Sequence, residues 1–270
     1  MALDAFISNI SATQVKSLSN TTIGQLVSED AVTALGKHGA SLSSGQVGAL
    51  NQSVVNTFDF TYVSSKSAAG LTATQIDALT SMTNLNSEVV KGLSAAAVGS
   101  LSTAQLTTLG TDADDTDDVP ALLASLSAKQ VQSLDVTQLD APVLLSLNAD
   151  QVKGLSTTQM GQLTGAQLAG IDDDLGALTS TQLKALSNNT IASLGNDALA
   201  SLDTAALKGL EADDFLALTD VQLDALFGLN TLTDTSSDEE VKAVQDRVQS
   251  VNAEWVTAAY LETSRAGTGA

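Results

Sequence analysis

A large aliphatic residue returns at every eighth position along most of the chain. It does so most regularly at Leu147, Leu155, Leu163, Ile171, Leu178, Leu186, Leu194, Leu202, Leu210, Leu218 and Leu226, with one seven-residue step from Ile171 to Leu178. A second apolar residue stands three positions before the Leu, as Met160 stands before Leu163. The octad reads Ser/Thr/Asn, two variable residues, Gln, an apolar residue, two small or polar residues, then Leu, as in NADQVKGL, STTQMGQL, TGAQLAGI and TSTQLKAL. Self-similarity at so short a period predicts small modules that bury a core only by stacking on one another.

The first and fourth octad positions suit a capping box. Ser156 with Gln159, Thr164 with Gln167, Thr179 with Gln182, Ser127 with Gln130 and Thr72 with Gln75 all fit. The hydroxyl accepts from the amide three residues on, and the Gln side chain reaches back to the cap amide, so each octad starts a helix. One continuous helix is disfavoured, because eight residues at about 100° each would swing the Leu stripe about 80° per octad around the rod. A β-solenoid is disfavoured as well, since residues three apart on a strand face opposite ways, whereas on a helix they share a face. The fold class expected is all-α, a solenoid or superhelix of very short helices.

Interruptions divide the chain. Near-octads run through residues 1–57, and the pattern then breaks over 58–70, where FDFTYVSS spaces Phe58, Phe60 and Tyr62 by two and so predicts a short strand followed by a loop. The main repeat occupies 71–229 and contains an acidic loop at 110–120. A linker, a helix and a tail fill 230–270. In that last segment Val241, Val244, Val248, Val251 and Trp255 alternate in steps of three and four, which predicts one long amphipathic helix from Ser237 or Asp238 to about Glu262. Such a helix either caps the last open repeat or pairs with a copy of itself along its three-four seam.

Composition narrows the classes of partner. A formal charge of −20, with 11 Lys and Arg against 31 Asp and Glu, repels nucleic-acid phosphates and anionic membranes. An aromatic content of 3% suits a thin, regular core. Zero cysteines removes disulfides and thiolate chemistry, and no stretch of the sequence approaches the length of an apolar membrane span. The first residues carry neither a basic segment nor an apolar core of signal-peptide length, so export is expected to use a signal that is not cleaved from this end. A cytoplasmic location stays open.

Catalytic chemistry is sparse. The single histidine, His38, lies between glycines in GKHGAS, where a turn is expected and nothing positions a partner. No phosphate-cradling glycine loop is present. The carboxylates Asp112, Asp114, Asp115, Asp117 and Asp118 cluster densely enough to hold calcium, but they lack the glycine and distal glutamate of an EF-hand loop and also read as a solvated loop. No other cofactor is expected. Phe58, Phe60 and Tyr62 either fill the core where the coil is interrupted or form an edge that pairs with another chain.

The octads STTQMGQL, TSTQLKAL and TATQIDAL resemble the tandem LTTAQVAAL-type repeats of large, acidic bacterial proteins, many of them predicted to be secreted or surface-exposed. The resemblance spans nearly all of residues 10–229 and brings no catalytic residues with it. The strand segment, the acidic loop and the carboxy-terminal helix depart from the repeat. With the composition, the resemblance implies a non-enzymatic structural protein of the bacterial exterior, a filament, sheath or surface-layer subunit whose partners are copies of itself. Phe58, Phe60, Tyr62, Val241, Val244, Val248, Val251 and Trp255 are the expected contacts. The alternative is a binding scaffold or adhesin for a protein or glycan.

Overall fold

The computed structural model describes residues 6, 7, 9–110, 122–233 and 236–267. The chain is mostly helical, and no strand occurs among the described residues. The helices before residue 238 are short, most of them four to eight residues long, with one nine-residue 3₁₀ stretch at Ala169–Ala177. By contact the chain divides into two compact units, Met1–Gln138 and Leu139–Ala270.

Local chemistry accounts for the short helices. In the Thr157–Gln162 helix, Ser156 is extended at φ −73° and ψ 159°, and its Oγ accepts from the Gln159 amide at 3.2 Å. The Gln159 side-chain oxygen accepts in return from the Ser156 amide at 2.9 Å. The helix ends at Leu163, which is extended at ψ 139° and donates its N–H to the Met160 carbonyl. The next residue, Thr164, is already extended as the following cap. Two consecutive extended residues therefore turn the corner at the end of this octad, and no glycine is needed to do so. The same box closes at Ser11 with Gln14, Ser43 with Gln46, Thr72 with Gln75, Ser127 with Gln130, Asn148 with Gln151 and Thr179 with Gln182.

The core is built from the two apolar positions of each octad. Met160, Val152 and Leu183 are fully buried, and the corner residues Leu163, Leu155 and Leu186 are nearly so. The glutamine side chains are buried beside them because they have a second task. In the first unit Gln75 Nε2 donates to the carbonyls of Val47 and Leu50, at 3.0 and 2.8 Å, while its oxygen stays in the capping box. Gln46 reaches Val15 and Leu18, and Gln105 reaches Ile76 and Leu79, in the same way. In the second unit Gln182 holds Val152 and Leu155, and Gln222 holds Ala192 and Leu194.

Each of these amides grips the carbonyls of a corner three corners earlier in the chain, as Gln46, just past the Leu42 corner, grips Leu18 across the intervening corners Leu26 and Leu35. Between Gln130 and Leu93 the bond spans 37 residues instead of about 28, because the interval includes 111–121, and it is still made at 2.8 Å. Glutamine suits the position because it carries an acceptor for the cap amide and a two-proton donor for the carbonyls on one side chain. Ser67 and Thr190 make shorter versions of the bond, to Leu42 and Leu163.

Two expected elements take different forms. Residues 58–63 make a turn instead of a strand. The Asp59 carboxylate accepts from the Thr61 amide at 2.9 Å, Val63 N–H bonds the Phe60 carbonyl, and Asn86 donates to the Thr61 carbonyl. With its backbone groups satisfied locally, the segment needs no partner strand. Gly36 packs closely beneath it, where a Cβ would lie 2.9 Å from the Asp59 amide nitrogen.

The carboxy-terminal helix is divided into Asp238–Gln249 and Ala253–Gly267. The break falls where Ser250 Oγ donates to the Arg247 carbonyl and Asn252 Oδ1 accepts from the Glu254 amide, side-chain bonds that compete with the helical ladder. It allows both pieces to pack on the repeats, Asp238–Gln249 on Asp220–Phe227 and Ala253–Gly267 on Ala212–Ala217.

Candidate functional site

The residues singled out in the sequence fall in different places. Phe58 and Phe60 are fully buried and meet edge to face with ring centroids 4.8 Å apart. Tyr62 is 56% exposed, because the turn at Asp59 breaks the alternation a strand would impose. His38 is half-buried in a turn, its amide on the Leu35 carbonyl and its carbonyl on the Ser41 amide. Asp112, Asp114, Asp115, Asp117 and Asp118 lie outside the described residues. Among the described residues no group of three or more His, Asp and Glu side chains converges as a metal site would require.

The carboxy-terminal segment faces its own chain. Val244 is buried, Val241, Val248, Val251 and Trp255 are half-buried or partly exposed, and the Trp255 ring lies 6.4 Å from that of Phe215. Tyr260 Oη donates to Asp224 at 2.7 Å, and burial, followed by that bond, raises its hydroxyl pKa well above the ordinary tyrosine value. Arg247 is the anchor. Its guanidinium donates to the carbonyls of Leu202 at 2.7 Å and Leu226 at 2.6 Å, with a longer bond to Leu199. Leu202 is a corner and Leu226 is the octad leucine three units later, inside the Asp220–Phe227 helix, so Arg247 holds the Leu202 corner as glutamines hold corners elsewhere. Desolvation lowers its pKa, and the charge of Asp203 opposes that shift.

Inspection of the sequence overlooked Arg247 because its role depends on carbonyls far away along the chain. The available signal was its position three residues after Val244 and four before Val251, on the apolar face of a helix.

A cavity of about 450 Å³ opens in the first unit where three octads meet. Lys16 comes from the end of the first, Ser43 and Ser44 from the start of the second, and Ser64, Lys66 and Ser67 from the start of the third. Ser67 and Gln46 are buried in its wall, and their polar atoms are spent on the Leu42, Val15 and Leu18 carbonyls. Lys16 and Lys66 are exposed and form no ion pair among the described residues. Among the described residues no carboxylate lines the cavity.

The second unit has a corresponding cavity of about 350 Å³, lined by Lys153, Thr179, Ser180, Asp203, Ala205 and Ala206 among others. The two match octad by octad: Lys16 with Lys153, Ser43 with Thr179, Ser64 with Asp203, Lys66 with Ala205 and Ser67 with Ala206. Even the glycines correspond, since a Cβ on Gly70 would collide with the Ser44 carbonyl and one on Gly209 with the Ser180 carbonyl. Among the described residues, no helix is long and apolar enough to cross a membrane. No family model, curated protein or solved structure matches the chain.

Proposed function

We propose that the chain is a non-enzymatic structural protein of a bacterial exterior, built as a solenoid with three octads per turn, that associates with copies of itself. The observation that carries this reading is the glutamine bond from each corner to the corner three steps earlier, repeated in both units with the same geometry. A framework that repeats one local geometry presents the same side-chain positions at regular intervals, so a single contact between copies can be used many times. Exposed apolar side chains are available at Val27, Tyr62, Leu145 and Val221. Because Arg247 and the two carboxy-terminal helices cover the last corners of the second unit, association is proposed to be side by side, not end to end through that face.

The test is electron microscopy of the purified protein, with light scattering, in the presence and absence of millimolar calcium. Ordered filaments or sheets are expected, and a requirement for calcium that is lost when Asp112, Asp114, Asp115, Asp117 and Asp118 are replaced by Asn would assign these carboxylates as its ligands. A chain that stays monomeric at high concentration in both conditions overturns the reading. The second reading, a binding scaffold for a glycan, is favoured by the cavity between Lys16 and Lys66, which no carboxylate lines among the described residues.

A further inference from the structure

The two matched cavities share a backbone frame and differ in charge. In the second unit, the single lysine, Lys153, is accompanied by Asp203, and Ala205 and Ala206 stand where the first unit has Lys66 and Ser67. In the first unit, two lysines stand without a carboxylate among the described residues, in a chain with nearly three acidic residues for each basic one. Two of the 11 basic side chains border one cavity, and among the described residues no carboxylate lines its wall and neither ammonium group has an ion-pair partner. The serine hydroxyls of Ser41 and Ser44 line the same space, and neither is engaged by another side chain among the described residues.

From this juxtaposition we propose that the Lys16–Lys66 cavity binds a saccharide carrying a tetrahedral oxyanion, a phosphate or a sulfate. Two ammonium groups supply charge-assisted bonds to the oxyanion. The hydroxyls of Ser41 and Ser44 bond the remaining oxygens. The volume is several times that of a bare oxyanion and leaves room for one with a sugar ring attached, within the usual size range of small-molecule pockets. The corresponding position in the second unit does not take this ligand, because Asp203 repels it and Ala205 contributes no charge. The inference does not depend on self-assembly.

The experiment titrates the full chain with glucose 6-phosphate, glucose 6-sulfate, glucose and inorganic phosphate, read by calorimetry and by backbone NMR shifts at Ser43, Ser44 and Ser64. Saturable binding of the two esters is expected, weakening as salt is added. Lys16→Ala and Lys66→Ala are each expected to weaken it about tenfold, the loss of one charge-assisted contact. Both lysines are exposed, so neither variant threatens the fold. The double variant Asp203→Ser with Ala205→Lys is expected to create a second site in the second unit. Unchanged ester affinity after both lysine substitutions overturns the proposal, as does the absence of saturable binding by either ester. Inorganic phosphate binding as tightly as the esters overturns the assignment of a saccharide.

Discussion

Arg247 Nη1 donates to the Leu202 carbonyl at 2.7 Å, the bond that glutamine amides make to Leu18, Leu50, Leu79, Leu155 and Leu194. A glutamine at the corresponding place would follow Leu226, but there Gly228 adopts φ +75° and ends the octad pattern. The arginine arrives instead from a helix about twenty residues further on, and its planar fork spans the Leu202 corner and Leu226 at once.

Arg247→Ala is therefore expected to destabilise the second unit by about 3 kcal/mol, the cost of leaving several part-buried carbonyls without a donor. Arg247→Lys is expected to recover less than half of that, because one ammonium cannot reproduce the fork. Urea unfolding measures both, and a loss below 1 kcal/mol for the alanine variant would show that the carboxy-terminal helices are held by their apolar contacts alone.

Gln182→Glu keeps the oxygen that caps Thr179 but loses the amide that holds Val152 and Leu155, and it turns a negative charge toward two carbonyls. A loss of about 3 kcal/mol is expected at neutral pH, near the upper end for an unsatisfied buried group. Gln14→Glu, at an exposed cap that makes only the local box, is expected to change stability by less than about 0.5 kcal/mol. Equal effects at the two positions would refute the assignment of separate tasks to the two ends of the glutamine side chain.

Asp214 stands at the glutamine position of its octad and is 5% exposed. One oxygen accepts from the Glu211 amide at 2.7 Å. Burial raises its pKa above the ordinary 3.8, the Glu211 amide opposes this, and the charges of Glu211 and Asp213 add to the rise. Lys184 offsets part of that charge by pairing with Glu211 at 2.6 Å. A carboxyl whose pKa is higher folded than unfolded makes the folded state bind more protons, so its contribution falls as pH rises. The penalty is absent below about the ordinary value and complete above the raised one. Asp214→Asn, which keeps the acceptor and adds a donor, is expected to stabilise the protein by about 1 kcal/mol at neutral pH, with the gain shrinking as the solution is acidified. Denaturation midpoints for the two proteins between pH 4 and pH 7 test this, and a gap that does not narrow toward low pH would remove the carboxyl as its cause.

Phe58→Ala is expected to cost about 3 to 5 kcal/mol, since it opens a cavity against Phe60. Tyr62→Ser, on the exposed side of the same turn, is expected to stay within about 0.5 kcal/mol. A large effect of the Tyr62 substitution on sedimentation, without one on stability, would place it in a contact between copies.

The parts of the fold legible in the sequence are those set by neighbours along the chain. The Ser/Thr with Gln boxes lie within one helical turn, so the hydroxyl and amide at positions one and four sufficed to locate them, as at Ser156 and Gln159. The other end of the same glutamines was not legible, because the carbonyls it serves lie about 28 residues earlier and belong to another helix. Period-two spacing at Phe58, Phe60 and Tyr62 suggested a strand, but the Asp59 carboxylate offered the backbone a local partner and the turn prevailed. The three-four seam in the carboxy-terminal segment correctly indicated helix. It did not reveal the break at Ser250 and Asn252, whose side chains compete with main-chain bonds. Of the candidate cavity nothing was apparent beforehand, since Lys16, Ser44 and Lys66 come from three separate octads.

Because a corner rests on the corner three steps before it, the sequence carries three interleaved records, each written in every third octad. A substitution pattern confined to one record alters one edge of the stack and leaves the other two untouched. The corners Leu18, Leu42 and Val63, beside Lys16, Ser43 and Ser64, belong to one such record, and their counterparts Leu155, Leu178 and Leu202, beside Lys153, Thr179 and Asp203, to another stretch of the same kind of edge. The chain can thus revise the chemistry along one line of its surface, octad by third octad, without disturbing the bonds that hold it together.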